Sequence, residues 1–421
     1  MTKLRHRCVG CGRIYENGRT LHCQACDGLL RAEYSQASFR PTDGNGLFAF
    51  LDWLPPSQGI ETSMGPCVYA SERLADHLGL EDLWIGFNGY APEVGAHNPT
   101  GSFKDFEALP TLLYLREQGH RSVILASAGN TARAFAHAAG SVDMRVLLVI
   151  PEVALDRLWL PMEKPDSVHM VVVESSSDYA AAIRLAALIS ERLDVTPEGG
   201  ARNVARRDGM GTAVLEYARV RRDLPRHYVQ AIGSGTGGIA AWEAGLRLLS
   251  AGVGQRLPRL HLVQNLPFAP IHAAWTHGSP IRGDEDLEIQ QQEIQQIAAQ
   301  VLANRNPPYA LPGGVRDALH ETGGATHAAT NDEAHAAQDL FLRTEGIPIG
   351  PAAGVALAGL QHAIARREIA KDESVLLHIT GNNDVLLRRD MTLHPMAPDV
   401  RVSVDQINAR GVDRLRDSLL G

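Results

Sequence analysis

The sequence lacks the features of a membrane protein, a nucleic-acid-binding surface or a disulfide scaffold. Its 421 residues contain no apolar run near the roughly 20 residues that span a bilayer. The formal net charge of −8 argues against binding to nucleic acid or anionic lipid. Five cysteines are too few for a disulfide framework in a chain of this length. Residues 1–7 are basic but lead into cysteines, so we expect no signal peptide and a cytoplasmic enzyme.

Lysine is scarce as well. Of the 40 lysine and arginine residues, only four are lysines, namely Lys3, Lys104, Lys164 and Lys371. Residues 97–105, HNPTGSFKD, interrupt the chain with Pro and Gly and place Lys104 where helical apolar spacing begins. An amine held there can form an imine with an aldehyde cofactor, which a guanidinium cannot do. The alternative is a surface lysine at a helix start.

Four of the five cysteines form two CxxC pairs near the start of the chain. Cys8 and Cys11 are followed by Cys23 and Cys26, with a short β-type segment between the pairs. This spacing predicts a zinc ribbon in which four thiolates surround the ion and leave no open position for catalysis. The alternative is two reduced turns without a metal. We interpret the remaining Cys67 as a small buried apolar residue.

Short apolar segments alternate with helical patterns along most of the chain. The predicted strands cover residues 83–87, 122–126, 145–150, 168–173, 228–232, 260–263 and 374–379. The predicted helices include residues 68–79, 178–193, 238–250, 286–303 and 351–364, one beginning at Thr212, and one opened by a capping box at Thr330–Glu333. This alternation predicts an α/β protein whose mainly parallel sheet is covered on both faces.

A glycine-rich segment, Gly233–Gly238, follows a predicted strand and opens a predicted helix. Glycines allow close backbone approach, and the N–H groups of such a turn point at an anion. No Walker lysine follows, and the pattern fits a dinucleotide fingerprint poorly. We therefore expect it to bind a phosphate monoester. The alternative is an ordinary strand-to-helix turn.

A second strand-to-helix turn, Ser127–Thr131, offers N–H groups, hydroxyls and an amide at a helix start. A carboxylate or a phenolic oxygen would bind well there, although such residues also serve as helix caps.

Three arginines, Arg202, Arg206 and Arg207, lie within residues 197–211, which we predict to be a polar loop. They suit recognition of a dianion such as phosphate or a sulfur oxyanion. The alternative is a solvated charged loop.

Taken together and in this order, the SFKD, AGNT and GSGTGG motifs resemble fold-type II pyridoxal-phosphate enzymes of the threonine synthase branch, whose members often begin with a zinc-ribbon-like segment. Residues 125–131, 197–212 and 264–268, with the Asn304-Arg305 and Pro307–Tyr309 strings, are similar to the cysteate synthase family. The resemblance implies a tryptophan synthase beta-like fold of two three-layer αβα domains. We expect a zinc-ribbon-like segment at 1–35, a large cofactor-binding domain at 36–104 and 212–421, and a small mobile domain at 105–211.

The resemblance also implies roles for individual residues. Lys104 would be the Schiff-base lysine and the proton shuttle at Cα. The residues implied to hold pyridoxal 5'-phosphate, besides Lys104, are Asn130, Gly233, Ser234, Gly235, Thr236, Gly237 and Thr380. Thr380 would face the pyridine nitrogen with a neutral hydroxyl. The residues implied to bind substrate are Ser127, Ala128, Thr131, Arg202, Asn203, Arg206 and Arg207. The four ribbon cysteines would bind the metal.

The implied activity is a β-replacement that converts O-phospho-L-serine and sulfite to L-cysteate and phosphate. It would proceed through an external aldimine and an aminoacrylate, commonly in a homodimer. Three alternatives stay open. The chain could be a threonine synthase acting on O-phosphohomoserine and water, it could use another nucleophile on phosphoserine, or it could be a non-catalytic zinc-ribbon binding protein.

Overall fold

The structure, a computed structural model, describes residues 2–16, 20–44, 46–127, 129–174 and 179–420. Two mainly parallel sheets organise the chain. The six-stranded sheet is parallel except for its last edge strand, and its order is Ala325–Ala329, Arg259–Asn265, His227–Ala231, Val375–Ile379, Leu83–Phe87 and Cys67–Ala70. The five-stranded sheet is fully parallel, and its order is Thr196–Pro197, Ser122–Ala126, Arg145–Pro151, Val168–Val173 and Val400–Val402. The predicted α/β class is therefore confirmed.

Smaller elements and helices complete the fold. The ribbon sheet contains Leu4–Cys8, Ile14–Tyr15 and Leu30–Tyr34, and two further antiparallel pairs join Tyr90–Ala91 to Ala96–His97 and Trp159–Leu160 to His394–Pro395. The α-helices are Arg73–Leu78, Lys104–Glu117, Asn130–Ala139, Tyr179–Leu193, Val204–Arg221, Thr236–Ser250, Pro270–His277, Leu287–Gln296, Val315–Glu321, Asn331–Glu345, Pro351–Ala365, Val385–Asp390 and Ala409–Leu420. Short 3-10 helices are Leu47–Trp53, Pro92–Val94, Glu152–Arg157, Gly200–Arg202, Asp284–Asp286, Gln300–Leu302 and Val404–Gln406. Within the described ranges, no helix has the length and apolar character needed to cross a bilayer.

Apolar residues cover both faces of both sheets. In the six-stranded sheet, Val229 and Leu377 face one buried cluster whereas Tyr228 and Leu376 face another, as alternation along a strand requires. The strands of the five-stranded sheet divide in the same way between two further clusters. Each sheet therefore forms the middle of three layers, and the carboxyl ends of its strands are the edge where loops can build a site.

The C-terminal strand differs from the predicted domain boundary. Val400–Val402 pairs in parallel with Val168–Val173, so it extends the five-stranded sheet and not the large one. The predicted assignment of 212–421 to the large domain therefore does not hold for this last segment. A three-residue edge strand has too few positions to show a pattern in the sequence.

Two helix boundaries were predicted wrongly for local reasons. Residues 67–70 form a strand that pairs with Leu83–Phe87, so the helix predicted over 68–79 begins only at Arg73. The loop predicted over 197–211 ends at Asn203, whose side chain accepts a hydrogen bond from Ala205 N at 2.9 Å and caps a helix. Arg206 and Arg207 therefore lie on a helix, which begins eight residues before Thr212.

Of two other helix predictions, one is confirmed and one is wrong at the C-terminal end of the helix. The capping box at Thr330 and Glu333 is confirmed. The helix predicted over 286–303 ends at Gln296, because Asn331 binds the backbone on both sides of Ile297, donating to Gln296 O and accepting from Ala298 N. A single side chain thus redirects the segment that follows.

A chain of buried histidines crosses the six-stranded sheet away from its carboxyl edge. His227 Nδ1 lies 3.0 Å from His261 Nε2, and His261 Nδ1 lies 3.0 Å from His327 Nε2. Burial lowers the pKa of His261 to about 2 and that of His327 to about 3. Glu368 approaches both rings but is also bound by Arg259 Nη2 at 3.3 Å, so the chain already supplies a cation to this carboxylate. These histidines are therefore neutral structural groups.

We predict that stability falls as the pH is lowered from about 6.5 towards 3. In this window the histidines of the unfolded chain take up protons while His261 and His327 stay neutral, so the native state loses up to about 1.4 kcal/mol per pH unit for each. Urea unfolding between pH 7 and 4 measures the slope. His327→Gln should flatten it, whereas His335→Gln, at an exposed position, should leave it unchanged. Equal slopes in all three proteins would contradict the prediction.

Candidate active site

Lys104 is held at the carboxyl end of the large sheet. Phe103 N donates to Thr380 O at 3.0 Å, and Ser102 forms an antiparallel bridge with Gly381. Thr380 directly follows Val375–Ile379, the strand that pairs with His227–Ala231. The predicted glycine loop continues from that neighbouring strand. The fold thus places Lys104, Thr380 and the glycine loop at adjacent strand ends.

The amine of Lys104 lies in a nearly closed environment. Its side chain is 20% exposed, and Nζ donates to Glu107 Oε2 at 3.1 Å. The same nitrogen lies 4.6 Å from the centre of the Phe103 ring. Burial lowers the pKa of Lys104, and the negative charge of Glu107 opposes this effect. A side chain with this burial is not that of a surface lysine, so that alternative is excluded.

The glycine loop has the geometry of an anion cradle. Gly235 has a φ of 80°, in the left-handed region, and a Cβ there would lie 2.4 Å from Val315. The Ser234 and Thr236 hydroxyls lie 2.7 Å apart. In the described ranges, the backbone N–H groups of Ser234, Gly235 and Gly237 have no acceptor. Three unpaired donors at the start of the helix Thr236–Ser250 favour a bound phosphate.

The Ser127–Thr131 turn begins the helix Asn130–Ala139. Ser127 Oγ accepts from Ala132 N at 3.2 Å, and Asn130 Oδ1 accepts from Arg133 Nη2 at 2.5 Å. Thr131 Oγ1 donates to Glu107 Oε1 at 3.1 Å. Thr131 and Lys104 therefore contact the same carboxylate, which joins this turn to the lysine. Ala128, predicted to bind substrate, lies outside the described residues.

Arg206 is the one predicted arginine that reaches this carboxylate. Its Nε and Nη2 lie 3.0 and 2.9 Å from the two oxygens of Glu107, and its Nη1 donates to Glu198. A close helix contact positions it. One turn further along the same helix, a Cβ on Gly209 would lie 1.9 Å from Phe106 O. Only glycine permits this approach between the helices Val204–Arg221 and Lys104–Glu117.

The other two predicted arginines contact the ribbon. Arg207 is fully buried, with Nε 2.9 Å from Glu243 Oε2 and a further hydrogen bond to Leu30 O. Arg202 Nη1 donates to Asp27 O at 3.3 Å, between ribbon strands. The three arginines therefore do not form one cluster, because Arg202 precedes the helix and the successive positions 206 and 207 point in different directions. Asn203 caps the helix and is fully buried, so its side chain is committed to the backbone.

Sequence reasoning missed Glu107 and Glu198. Glu107 lies three residues after Lys104, on the same helical face. An acidic residue at that spacing is a signal that could have been used. Glu198 carried no such signal, because its contact with Arg206 depends on the fold.

A segment across the cleft was also missed. Gln300–Leu302 lies against both anion-binding turns, since a Cβ on Gly233 would be 2.8 Å from Leu302 O and one on Gly129 would be 3.9 Å from Val301 Cγ1. Asn265 Oδ1 accepts from Ala299 N at 3.0 Å and fixes this segment to the large sheet. The Gln264–Phe268 string thus has a structural function next to the site.

The residues present fit pyridoxal phosphate. The buried amine can form an imine with the cofactor's aldehyde, the glycine loop can hold its phosphate, and Thr380 would offer a neutral hydroxyl to its pyridine nitrogen. Buried polar atoms beside the lysine also lack partners in the described part of the chain, namely the amide of Asn98 and the hydroxyl of Ser102. A polar ligand or water would satisfy them.

The four ribbon cysteines converge on one point. Their sulfur atoms all lie within 4.8 Å of one another, and two of the separations are 3.4 and 3.6 Å. A zinc tetrathiolate with bonds of about 2.3 Å has sulfur separations of about 3.8 Å. Cys8, Cys11, Cys23 and Cys26 therefore fit a structural zinc ion. Cys67 lies elsewhere and donates to Val94 O at 2.9 Å.

Comparison with known proteins agrees with this site. Residues 71–381 match the family model described as pyridoxal-phosphate dependent enzyme. The processed threonine deaminase isoform 2 of Solanum lycopersicum shares the fold at a TM-score of 0.58 and 17% identity, over 77% of this chain and 85% of that chain. A serine racemase of Dictyostelium discoideum does so at a TM-score of 0.57 and 17% identity, over 76% and 93%. Fold and site thus define a fold-type II pyridoxal-phosphate dependent enzyme.

Sequence relatives narrow this class. The chain is 45% identical to the cysteate synthase of Methanosarcina acetivorans over 94% of this chain and 96% of the relative. It is 44% identical to that of Methanocella paludicola over 97% and 96%. The chain belongs to the cysteate synthase family.

We predict one tightly bound zinc ion per chain. Cys11→Ser should lose it, because three thiolates leave the tetrahedral site open. The variant should also unfold at a lower temperature, since the ribbon contacts the Arg207–Glu243 pair. Elemental analysis and thermal unfolding measure both effects, and Cys67→Ser is the matched control that should retain zinc. A wild-type protein that binds no zinc after refolding with the metal would contradict the prediction.

Proposed function

We propose that this enzyme converts O-phospho-L-serine and sulfite to L-cysteate and phosphate. The carbon–oxygen bond at Cβ breaks, phosphate leaves with the electron pair, and the sulfur lone pair of sulfite forms the new carbon–sulfur bond. The replacement needs no external oxidant or reductant. Membership of the cysteate synthase family supports this substrate pair. The structural observation that carries it is the meeting of Lys104 and Arg206 on one buried carboxylate, which places a cation for an oxyanion beside the amine.

Bound pyridoxal phosphate supplies an electron sink for the Cα carbanion. The N–H groups of Gly233–Gly237 would hold its phosphate, and Asn130 and Thr380 would contact its ring. Lys104 Nζ takes the Cα proton and later returns it. Ser127 and Thr131 would orient the substrate carboxylate at a helix start.

Arg206 is our choice for the group that meets the leaving phosphate or the incoming sulfite. Its side chain is 13% exposed and shares Glu107 with Lys104, whereas the Arg207 side chain is fully buried under the ribbon. Glu107 and Glu198 hold the guanidinium on two sides and fix its plane. A fixed planar fork suits an oxyanion that arrives and leaves without covalent attachment.

Product analysis tests the reaction. We expect cysteate from O-phosphoserine only when sulfite is present, and no threonine from O-phosphohomoserine. The cofactor-loaded protein should absorb at the imine band, and Lys104→Ala should lose that band. Threonine without cysteate would establish the threonine synthase alternative. Another product from phosphoserine would indicate a different nucleophile, and a folded protein without the band would indicate a non-catalytic binding protein.

Substitution of Arg206 tests the anion contact. Arg206→Lys keeps a charge for Glu107 and Glu198 but loses the planar fork. We expect kcat/KM to fall about 10- to 100-fold, the loss of one charge-assisted contact, with a raised KM for an anionic substrate. Arg219→Gln, further along the same helix and paired with Glu216, is the control expected to stay within about twofold of wild type. If kcat/KM and KM are unchanged in Arg206→Lys, the substrate anion must be bound by Arg202 or another cation.

We further propose a cytoplasmic homodimer with a small mobile domain around the five-stranded sheet. No disulfide joins the cysteines among the described residues, and a reducing compartment would keep the four ribbon cysteines available for zinc. Dimers are common among fold-type II enzymes. Light scattering after size-exclusion chromatography tests the assembly.

A further inference from the structure

Glu107 has an unusual position for a carboxylate. Its side chain is fully buried, and each oxygen has two cationic or hydroxyl partners. Oε2 lies 3.1 Å from Lys104 Nζ and 3.0 Å from Arg206 Nε, and Oε1 lies 3.1 Å from Thr131 Oγ1 and 2.9 Å from Arg206 Nη2. These four contacts fill the acceptor capacity of a carboxylate.

The charged groups around this carboxylate determine its protonation state. Burial alone would raise the pKa of Glu107, but Arg206 and Lys104 together lower it. Glu198 faces Arg206 from the opposite side, and Asp105 is the nearest acid on the same helix, where burial raises its pKa to about 7. In the described ranges, Glu107 is the one carboxylate within ion-pair distance of Lys104. Arg206 also pairs with the carboxylate of Glu198, whereas the described residues place no second carboxylate on Lys104.

We propose that Glu107 is a further catalytic residue, the counter-ion that stabilises the ammonium form of Lys104 while this amine carries the substrate's Cα proton. The proton moves from Cα to Nζ, its electron pair stays at Cα, and the same proton returns to Cα at the end of the cycle. Glu107 keeps its charge throughout. This inference rests on the proposed function only in giving Lys104 the proton transfer.

A purely structural role for Glu107 would require only the Arg206 contact. The counter-ion role requires in addition that removing the Glu107 charge disfavours ammonium over amine. An opposite charge at this distance shifts a pKa by about 1–3 units. The neutral amide in Glu107→Gln should therefore lower the pKa of Lys104 by about 1–3 units, below the value that burial already depresses.

Because the chain has few lysines, the pKa of Lys104 can be measured without turnover. Reductive methylation with ¹³C-formaldehyde labels at most four lysines and the amino terminus in the cofactor-free protein. Lys104→Ala identifies the Lys104 signal, whose chemical shift is then followed against pH. We expect the lowered titration midpoint in Glu107→Gln and its recovery to within about half a unit in Glu107→Asp, which restores the charge. Glu198→Gln is the matched control, because it removes a carboxylate that contacts Arg206 only, and should shift the midpoint by less than half as much.

The expected shift in the titration midpoint of Lys104 is about 1–3 pH units. If the midpoint in folded Glu107→Gln lies within about 0.3 pH units of wild type, the inference is overturned. If Glu107→Gln does not fold without cofactor, the visible band of cofactor-loaded Glu107→Gln is titrated instead. Removing the charge should shift the midpoint of this band downwards, and an unchanged midpoint would overturn the inference. Cysteate formation with no midpoint shift would refute the Glu107 role alone. A clear shift in an enzyme that makes no cysteate would refute the substrate assignment alone.

Discussion

The close contact between two helix backbones at Gly209 is the constraint on which the site depends. Phe106 O occupies the space that a side chain at this position would need, so the helices Lys104–Glu117 and Val204–Arg221 touch along their backbones. Arg206 lies one turn before the contact and Glu107 lies directly after Phe106. Because the two helix backbones are this close, the side chains of Arg206 and Glu107 must lie in the same small volume. A charge there would be costly alone, and pairing removes most of that cost.

The helix Val204–Arg221 also connects the zinc-ribbon-like segment to the site. Arg207 is bound by Glu243 and by the ribbon carbonyl of Leu30, while the adjacent Arg206 points to the cleft. Val204 belongs to the buried cluster that contains Cys8 and Cys23. The cysteine cluster therefore fixes the start of the helix, and the helix fixes the direction of Arg206. A zinc ion bound by these cysteines would in this way position, from a distance, the arginine that is proposed to meet the substrate anion.

Much of the site follows from the sequence, because local signals mark strand ends. The glycine loop, the Ser127–Thr131 turn and Lys104 each follow from chain breaks and apolar spacing, and parallel topology then brings strand ends to one edge. The arginines could not be separated in this way. Their directions depend on the helix start at Asn203, and a cap made by one side chain was indistinguishable from loop polarity. The C-terminal edge strand was missed for a related reason, since its partner lies more than two hundred residues earlier.

The scarcity of lysine acquires a physical meaning in this fold. An aldehyde reacts with any accessible amine, so a second lysine near the cleft would compete with Lys104. The other lysines are bound elsewhere: Lys3 donates to the carbonyl of Leu51, Lys164 pairs with Asp399, and Lys371 pairs with Glu81. Arginine supplies the remaining positive charge, and a guanidinium binds anions without forming an imine. The division between one reactive amine and many arginines thus lets the cleft attract anionic substrates while leaving one position for covalent attachment.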